Sequence, residues 1–303
     1  MVRPTGRSPR PVAGSLASDF INDDTSAALR RWSKPCTCSC PPTIVDVNAE
    51  PFRMSGVGGL LERAARALPA SDQKRRHGWW LRHTDSSMWW SGAVLAHGAI
   101  APGSLEGGVA SVEKFYASRR AVARFQICAD CPPWLDEALA HRGYQLECPM
   151  SLQVAEAKDI ADRLSAPSLR VHVMDHPDPA WFAIWHAVSA AESPPGSEWR
   201  LLQRIQRPSA YVTVLDSDQP IAVGRAVADT GWAGVFGMAT LPAARRRGAA
   251  KSILSAIAGW ALNQGAPHIY LQVERDNVAA KELYERACFT EIATYHYRVQ
   301  RSP

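Results

Sequence analysis

The chain has 303 residues, of which 46% are hydrophobic, and a formal net charge of +5. That length allows about two domains, and the composition sustains a buried core. The modest, dispersed positive charge suits an anionic cofactor without calling for nucleic acid. No run approaches the ~20 apolar residues that span a bilayer, which argues against a membrane protein.

The N-terminus lacks the apolar core of a secretory signal, so cytoplasmic residence is the expectation. Residues 1–53 are rich in Pro, Ser, Arg and Thr with little periodicity. They read as a disordered extension, or as sequence upstream of the true start at Met54. Seven cysteines, an odd count in a chain of this length, do not make a disulfide framework. Cys36-x-Cys38-x-Cys40 lacks a four-ligand zinc spacing, and Cys128-x-x-Cys131 lacks a thioredoxin-like βαβ context. Both read as reduced, inert thiols, and no metal is expected.

From Met54 onward the pattern becomes regular. Leu60–Leu68 is an amphipathic helix, followed by strands at Gly78–His83 and Met88–Ala96 around an Asp85-Ser86-Ser87 turn. Val109–Ser118 is a helix, Ala121–Cys128 a strand, Pro133–Arg142 a helix, and Gln145–Val154 a closing strand. A second block opens with a strand at Val171–Met174 and helices at Pro179–Ala190 and Ser197–Gln206. Tyr211–Leu215 and Ile221–Ala228 form a hairpin. Strand Trp232–Ala239, a helix from Ala250, strand His268–Val273, helix Val278–Ala287 and strand Ile292–Val299 complete the chain. This is an α/β pattern with a mixed sheet.

One junction carries chemistry. Arg245-Arg246-Arg247-Gly248-Ala249-Ala250 joins the strand that ends near Pro242 to the next helix. A helix start offers free N–H groups and the positive end of a dipole. Small residues at 248–250 admit an anion to the backbone, and arginines grip phosphate with forked donors. A diphosphate cradle is the reading.

Arg245-x-x-Gly248-x-Ala250 resembles the coenzyme A loop, Q/R-x-x-G-x-G/A, of the GNAT superfamily of N-acetyltransferases. Further on, Asn277-x-x-Ala280-x-x-Leu283-Tyr284-x-x-x-Cys288-Phe289 resembles that superfamily's N-x-x-A-x-x-L-Y-x-x-x-G-F signature. The resemblance spans roughly Met54–Arg298, and its specific motifs lie in the C-terminal half. It implies a fold of two GNAT-like domains, each a mixed, mostly antiparallel twisted sheet flanked by helices. Residues 54–165 form one domain and 166–303 the other. It implies acetyl-CoA as cosubstrate and an amine acceptor, either a small molecule or a protein amine, in a monomer or homodimer.

By the same resemblance, strand Phe236–Thr240, splayed from strand Ile269–Val273, pairs with the pantetheine amides, with Met238, Ala239 and Thr240 beside the cofactor. Arg245, Arg246, Arg247, Gly248, Ala249, Ala250 and Lys251 hold the diphosphate. Asn277, Ala280 and Tyr284 lie beside the cofactor, and the Tyr284 hydroxyl protonates the departing thiolate. The general base stays open among His296, Glu192, Glu198, Glu274 and water. His296 leads, because a histidine titrates near neutrality.

The two blocks look like an internal repeat: Val109–Tyr144 echoes Ala249–Phe289, with Leu139 standing where Tyr284 stands. In place of the arginine loop the first block has Pro102-Gly103-Ser104-Leu105-Glu106-Gly107-Gly108. A carboxylate without arginine binds diphosphate poorly, so the first half reads as a degenerate, non-catalytic GNAT fold. Cys288, where the family has glycine, reads as packing at a turn slightly strained for a non-glycine residue. Seven tryptophans (79, 80, 89, 90, 181, 185 and 199) are candidates for an acceptor pocket, with structural core the better reading for most. A non-catalytic acyl-CoA-binding sensor is the alternative function.

Overall fold

Strands follow wherever β-branched and aromatic residues cluster between turns, and in the computed structural model they join into one 11-stranded sheet. The structure describes residues 50–86, 88–97, 104–164, 169–191 and 193–301. The extension up to residue 49, the Cys36-x-Cys38-x-Cys40 run, Ser87, Pro102-Gly103 and Glu192 lie outside the described residues.

Residues of the first half give α1 (Glu50–Ala67, broken at Gly56), β1 (Asp72–Arg76), β2 (Trp79–His83), β3 (Val94–Leu95), α2 (Leu105–Ala117), β4 (Arg124–Ile127), α3 (Leu135–His141) and β5 (Gln145–Glu156). α4 (Ala157–Arg163) ends that half, and the second supplies β6 (Arg170–Met174), α5 (Pro179–Ser189), α6 (Pro195–Leu202), β7 (Ser209–Asp216) and β8 (Gln219–Asp229). It continues with β9 (Trp232–Thr240), α7 (Ala249–Asn263), β10 (His268–Glu274), α8 (Val278–Arg286) and β11 (Thr290–Val299).

The strand order is β1-β2-β3-β4-β11-β5-β10-β9-β8-β7-β6. It repeats about the central β11–β5 pair, with β6 added outside β7 at one edge. β1 to β4 are closed by β11, and β7 to β10 are closed by β5, so each half borrows its last strand from the other. Pairing sense repeats as well. β3 with β4 and β9 with β10 are the parallel pairs, and their neighbours are antiparallel. The central β5–β11 ladder therefore stitches the two halves through their backbones.

Several stretches differ from the sequence expectation, α4 among them, a helix where no element is expected. Met88–Ala96 is expected as a strand, yet Trp89–Gly92 winds into a 3₁₀ turn and only Val94–Leu95 pairs. The buried Arg82 guanidinium explains this, because its Nε donates to the Ala93 carbonyl at 2.9 Å and its Nη2 to the Trp90 carbonyl at 3.2 Å. β1, Asp-Gln-Lys-Arg-Arg, carries no apolar alternation and is an edge strand whose charged side chains guard its free edge.

Two cores flank the second half of the sheet. One face packs α7 through Ile253, Leu254, Ile257, Ala258 and Ala261 onto Val212, Ala226, Val235 and Leu271. The opposite face packs α5 and α6, through Trp181, Trp185, Leu201 and Leu202, onto Tyr211, Val223 and Ala239. Leu68 and Met88 of the first half enter this second cluster.

Candidate active site

The loop after β9 departs from regular structure in steps. Pro242–Ala244 is a 3₁₀ turn, Arg246 takes φ 60°, and Gly248 takes φ 87° directly before α7. Glycine suits that last position because a left-handed backbone costs a Cβ-bearing residue about 1 kcal/mol. Among the described residues, no acceptor meets the backbone N–H groups from Arg246 to Lys251. Free amides at the start of α7 are suited to an anion. All three arginines are exposed. Arg247 donates through Nη2 to Asp216 Oδ2 at 2.6 Å, anchoring the loop to the β7–β8 turn, while Arg245 and Arg246 form no ion pair with a described residue.

Beside this loop the sheet opens. β9 and β10 run parallel and in register only as far as Val235 and Leu271, although β9 continues to Thr240 and β10 to Glu274. A bulge accompanies the divergence: Val223 pairs with Ala239 but Arg225 with Phe236, so Gly237 and Met238 together stand opposite the single Gly224, one extra residue on β9. Gly237 sits there at φ 59°, and a Cβ on it would meet the Trp185 Nε1 atom at 3.2 Å. Trp181 donates through Nε1 to the Gly224 carbonyl at 3.1 Å, so α5 holds the bulge from one side. Met238, Ala239 and Thr240 thus lie on the stretch of β9 whose β10 side is unpaired.

Tyr284 lies on α8, in the same apolar cluster as Ala244 and Ala249 at the two ends of the loop. Its ring meets Phe289 edge-on at 5.7 Å, and burial pushes its hydroxyl up to about 12. That hydroxyl forms no hydrogen bond with a described residue. Asn277 caps α8, its Oδ1 accepting from the Ala280 N–H at 3.1 Å, so both residues have a defined structural role as well.

The base candidates do not converge. His296 lies on β11 opposite Ile127 of the first half, with Nε2 2.8 Å from Asp136 Oδ1. The structure does not bring it together with α8 or the arginine loop. Glu198 is fully buried, and its Oε2 accepts from the Ser86 hydroxyl at 2.6 Å. Glu274 ends β10 beyond the last β9–β10 pair, on the strand face opposite Ile269, Leu271 and Val273, which pack toward α7. Burial, with the nearby Asp276 charge, raises its carboxyl above the usual range.

Sequence reading missed the bulge. Its one signal was Gly237 within an apolar strand, a frequent mark of a bulge or a close approach. Buried Arg225 was missed too: 3% exposed, it bonds the Ala67 carbonyl at 2.8 Å and lies 4.9 Å over the Phe236 ring.

A family model described as "Probable histone acetyltransferase Rv0428c C-terminal" matches residues 57–298. An uncharacterized N-acetyltransferase of Bacillus subtilis, YobR, is 24% identical over 250 residues, 82% of this chain and 100% of that protein. The solved structure of a GCN5-related N-acetyltransferase from Kribbella flavida superposes with a TM-score of 0.63 at 17% identity, covering 82% of this chain and 97% of that one. A tandem GNAT protein from the clavulanic acid biosynthesis pathway gives a TM-score of 0.55 at 10% identity, over 80% and 88%. The chain belongs to the family of the Rv0428c C-terminal region, within the GNAT superfamily of N-acetyltransferases.

Proposed function

We propose that this acetyltransferase moves the acetyl group of acetyl-CoA directly onto a primary amine, and that the chemistry belongs to residues 166–303. Residues 54–165 then serve as a non-catalytic partner half. The observation that carries this reading is the run of unsatisfied N–H groups from Arg246 to Lys251, beside the strand opening at Gly237. The amides and Arg245 and Arg246 hold the diphosphate of the cosubstrate, and the unpaired edge of β9 receives the pantetheine amides. A backbone N–H near Met238 or Ala239 polarises the thioester carbonyl.

Tyr284 is the general acid. A hydroxyl held near 12 remains protonated at neutral pH and donates to the sulfur as the acyl bond breaks. Glu274 is the base we favour. Its position past the last β9–β10 pair, on the face away from α7, and its raised pKa support it. It takes a proton from the attacking amine, directly or through water.

Calorimetry of coenzyme A with the full chain tests the loop. Arg246→Glu abolishes binding on this reading, and unchanged affinity overturns the loop assignment. A screen of amine acceptors with acetyl-CoA, followed by free thiol release, then identifies the acceptor class.

A further inference from the structure

We propose that His97, Cys128 and Cys131 form a zinc site in the first half of the chain. Parallel pairing of β3 with β4 sets Leu95 against Gln126, and continuing that register by two residues brings His97 beside Cys128. Cys131 closes a tight turn, its N–H bonding the Cys128 carbonyl at 3.0 Å. One ligand atom from each of the three residues lies within 4.8 Å of the others.

The spacing favours a shared ion over a disulfide. The two sulfurs are 4.0 Å apart, whereas a disulfide needs about 2.05 Å. Two thiolates on a tetrahedral Zn²⁺ stand about 3.8 Å apart, given Zn–S bonds of about 2.3 Å. Soft thiolates with an imidazole select zinc over hard cations such as magnesium or calcium.

Burial supplies the second observation. The His97 side chain is 8% exposed, and neither ring nitrogen has a hydrogen-bond partner. Two unsatisfied buried nitrogens on one ring are costly, and a metal bond satisfies one of them. Glu62 Oε1 lies 3.9 Å from Nδ1, so a metal held through Nε2 leaves Nδ1–H facing a carboxylate, a pairing that fixes metal-bound imidazoles. Both cysteines are buried, and the Cys128 N–H donates to Cys131 Sγ at 3.4 Å. Binding displaces the thiol protons to solvent. Water takes the fourth position. The nearby Asp130 carboxylate is already engaged by the Gly58 N–H at 2.6 Å, so the site fastens α1 to the ends of β3 and β4.

The full chain, purified under reducing conditions, is assayed for zinc by mass spectrometry, then stripped and titrated with Co²⁺. Expected are one zinc per chain and the thiolate charge-transfer and tetrahedral d–d bands of a sulfur-ligated cobalt. Cys131→Ser and His97→Ala lose both, while Cys148→Ser and Cys288→Ser keep them. Should the ligand variants fail to fold, the cobalt spectrum of the unaltered chain decides alone. A reduced chain that yields no such spectrum, or a resting Cys128–Cys131 disulfide, overturns the proposal.

Discussion

Cys288 and Gly143 occupy the same place in the two halves, each left-handed after its helix, with φ 69° and 81°. The flanking bonds match. Phe289 N–H bonds the Tyr284 carbonyl at 2.9 Å, and Tyr144 N–H bonds the Leu139 carbonyl at 3.1 Å. Cys288 N–H reaches Glu285 and Gly143 N–H reaches Ala140, which completes the same helix-ending motif twice. Glycine adopts this backbone without strain, and cysteine does not. Cys288→Gly, after allowance for glycine's freer unfolded chain, raises stability by about 0.5–1 kcal/mol. Gly143→Ala lowers it by about 1 kcal/mol. Urea denaturation measures both, and a destabilised Cys288→Gly contradicts the account.

Tyr284→Phe separates chemistry from packing. The hydroxyl bonds no described residue, so its removal leaves the thermal midpoint and acetyl-CoA affinity nearly unchanged. Turnover falls by about 10²-fold, the usual worth of a positioned proton donor. Full turnover in the phenylalanine variant removes Tyr284 as the acid. A chain that binds acetyl-CoA but turns over no amine is a sensor instead.

Glu274 gives a pH signature. With its carboxyl raised by burial and by Asp276, the acidic limb of kcat/KM lies above the ordinary glutamate value of about 4.3. Asp276→Asn removes the neighbouring charge and moves that limb to lower pH. Glu274→Gln abolishes it. An unchanged profile in Glu274→Gln passes the role to water or another group.

Asp229 joins the halves. Its Oδ2 accepts from Arg66 Nε of α1 at 2.9 Å, and its Oδ1 from Arg207 at 2.7 Å and Thr230 at 3.0 Å. Burial pushes its pKa up, but the hydrogen bonds and the two arginine charges outweigh this and hold it below the usual range. A folded-state pKa below the unfolded one stabilises at neutral pH, and the contribution disappears as pH falls through the folded value. Asp229→Asn costs about 2 kcal/mol at pH 7, since both arginines are partly exposed and lose less than fully buried ones. The gap between wild type and variant closes in acid, which urea titrations across pH test.

Local chemistry made the candidate site legible. The arginine loop, the capping Asn277, the tyrosine helix and the repeat of helix, strand and helix are each written in a short window, because caps, periodicity and glycine turns act between near neighbours. Most element positions followed from the same signals. β1 and the 3₁₀ turn at Trp89–Gly92 did not, since an edge strand needs no apolar face and a distant arginine captured the carbonyls of the turn.

Which strand closes each half lay beyond local reading. β5 and β11 each follow a helix and a left-handed turn, so nothing in either segment states that it pairs across to the other half. The resemblance implied that β9 and β10 part, but the bulge at Gly237 lay beyond local reading too, as did His97, which meets Cys128 and Cys131 only because β3 and β4 run parallel. These are contacts between residues far apart in sequence. Their partners are chosen by the packing of the whole sheet, and only the tertiary structure records that choice.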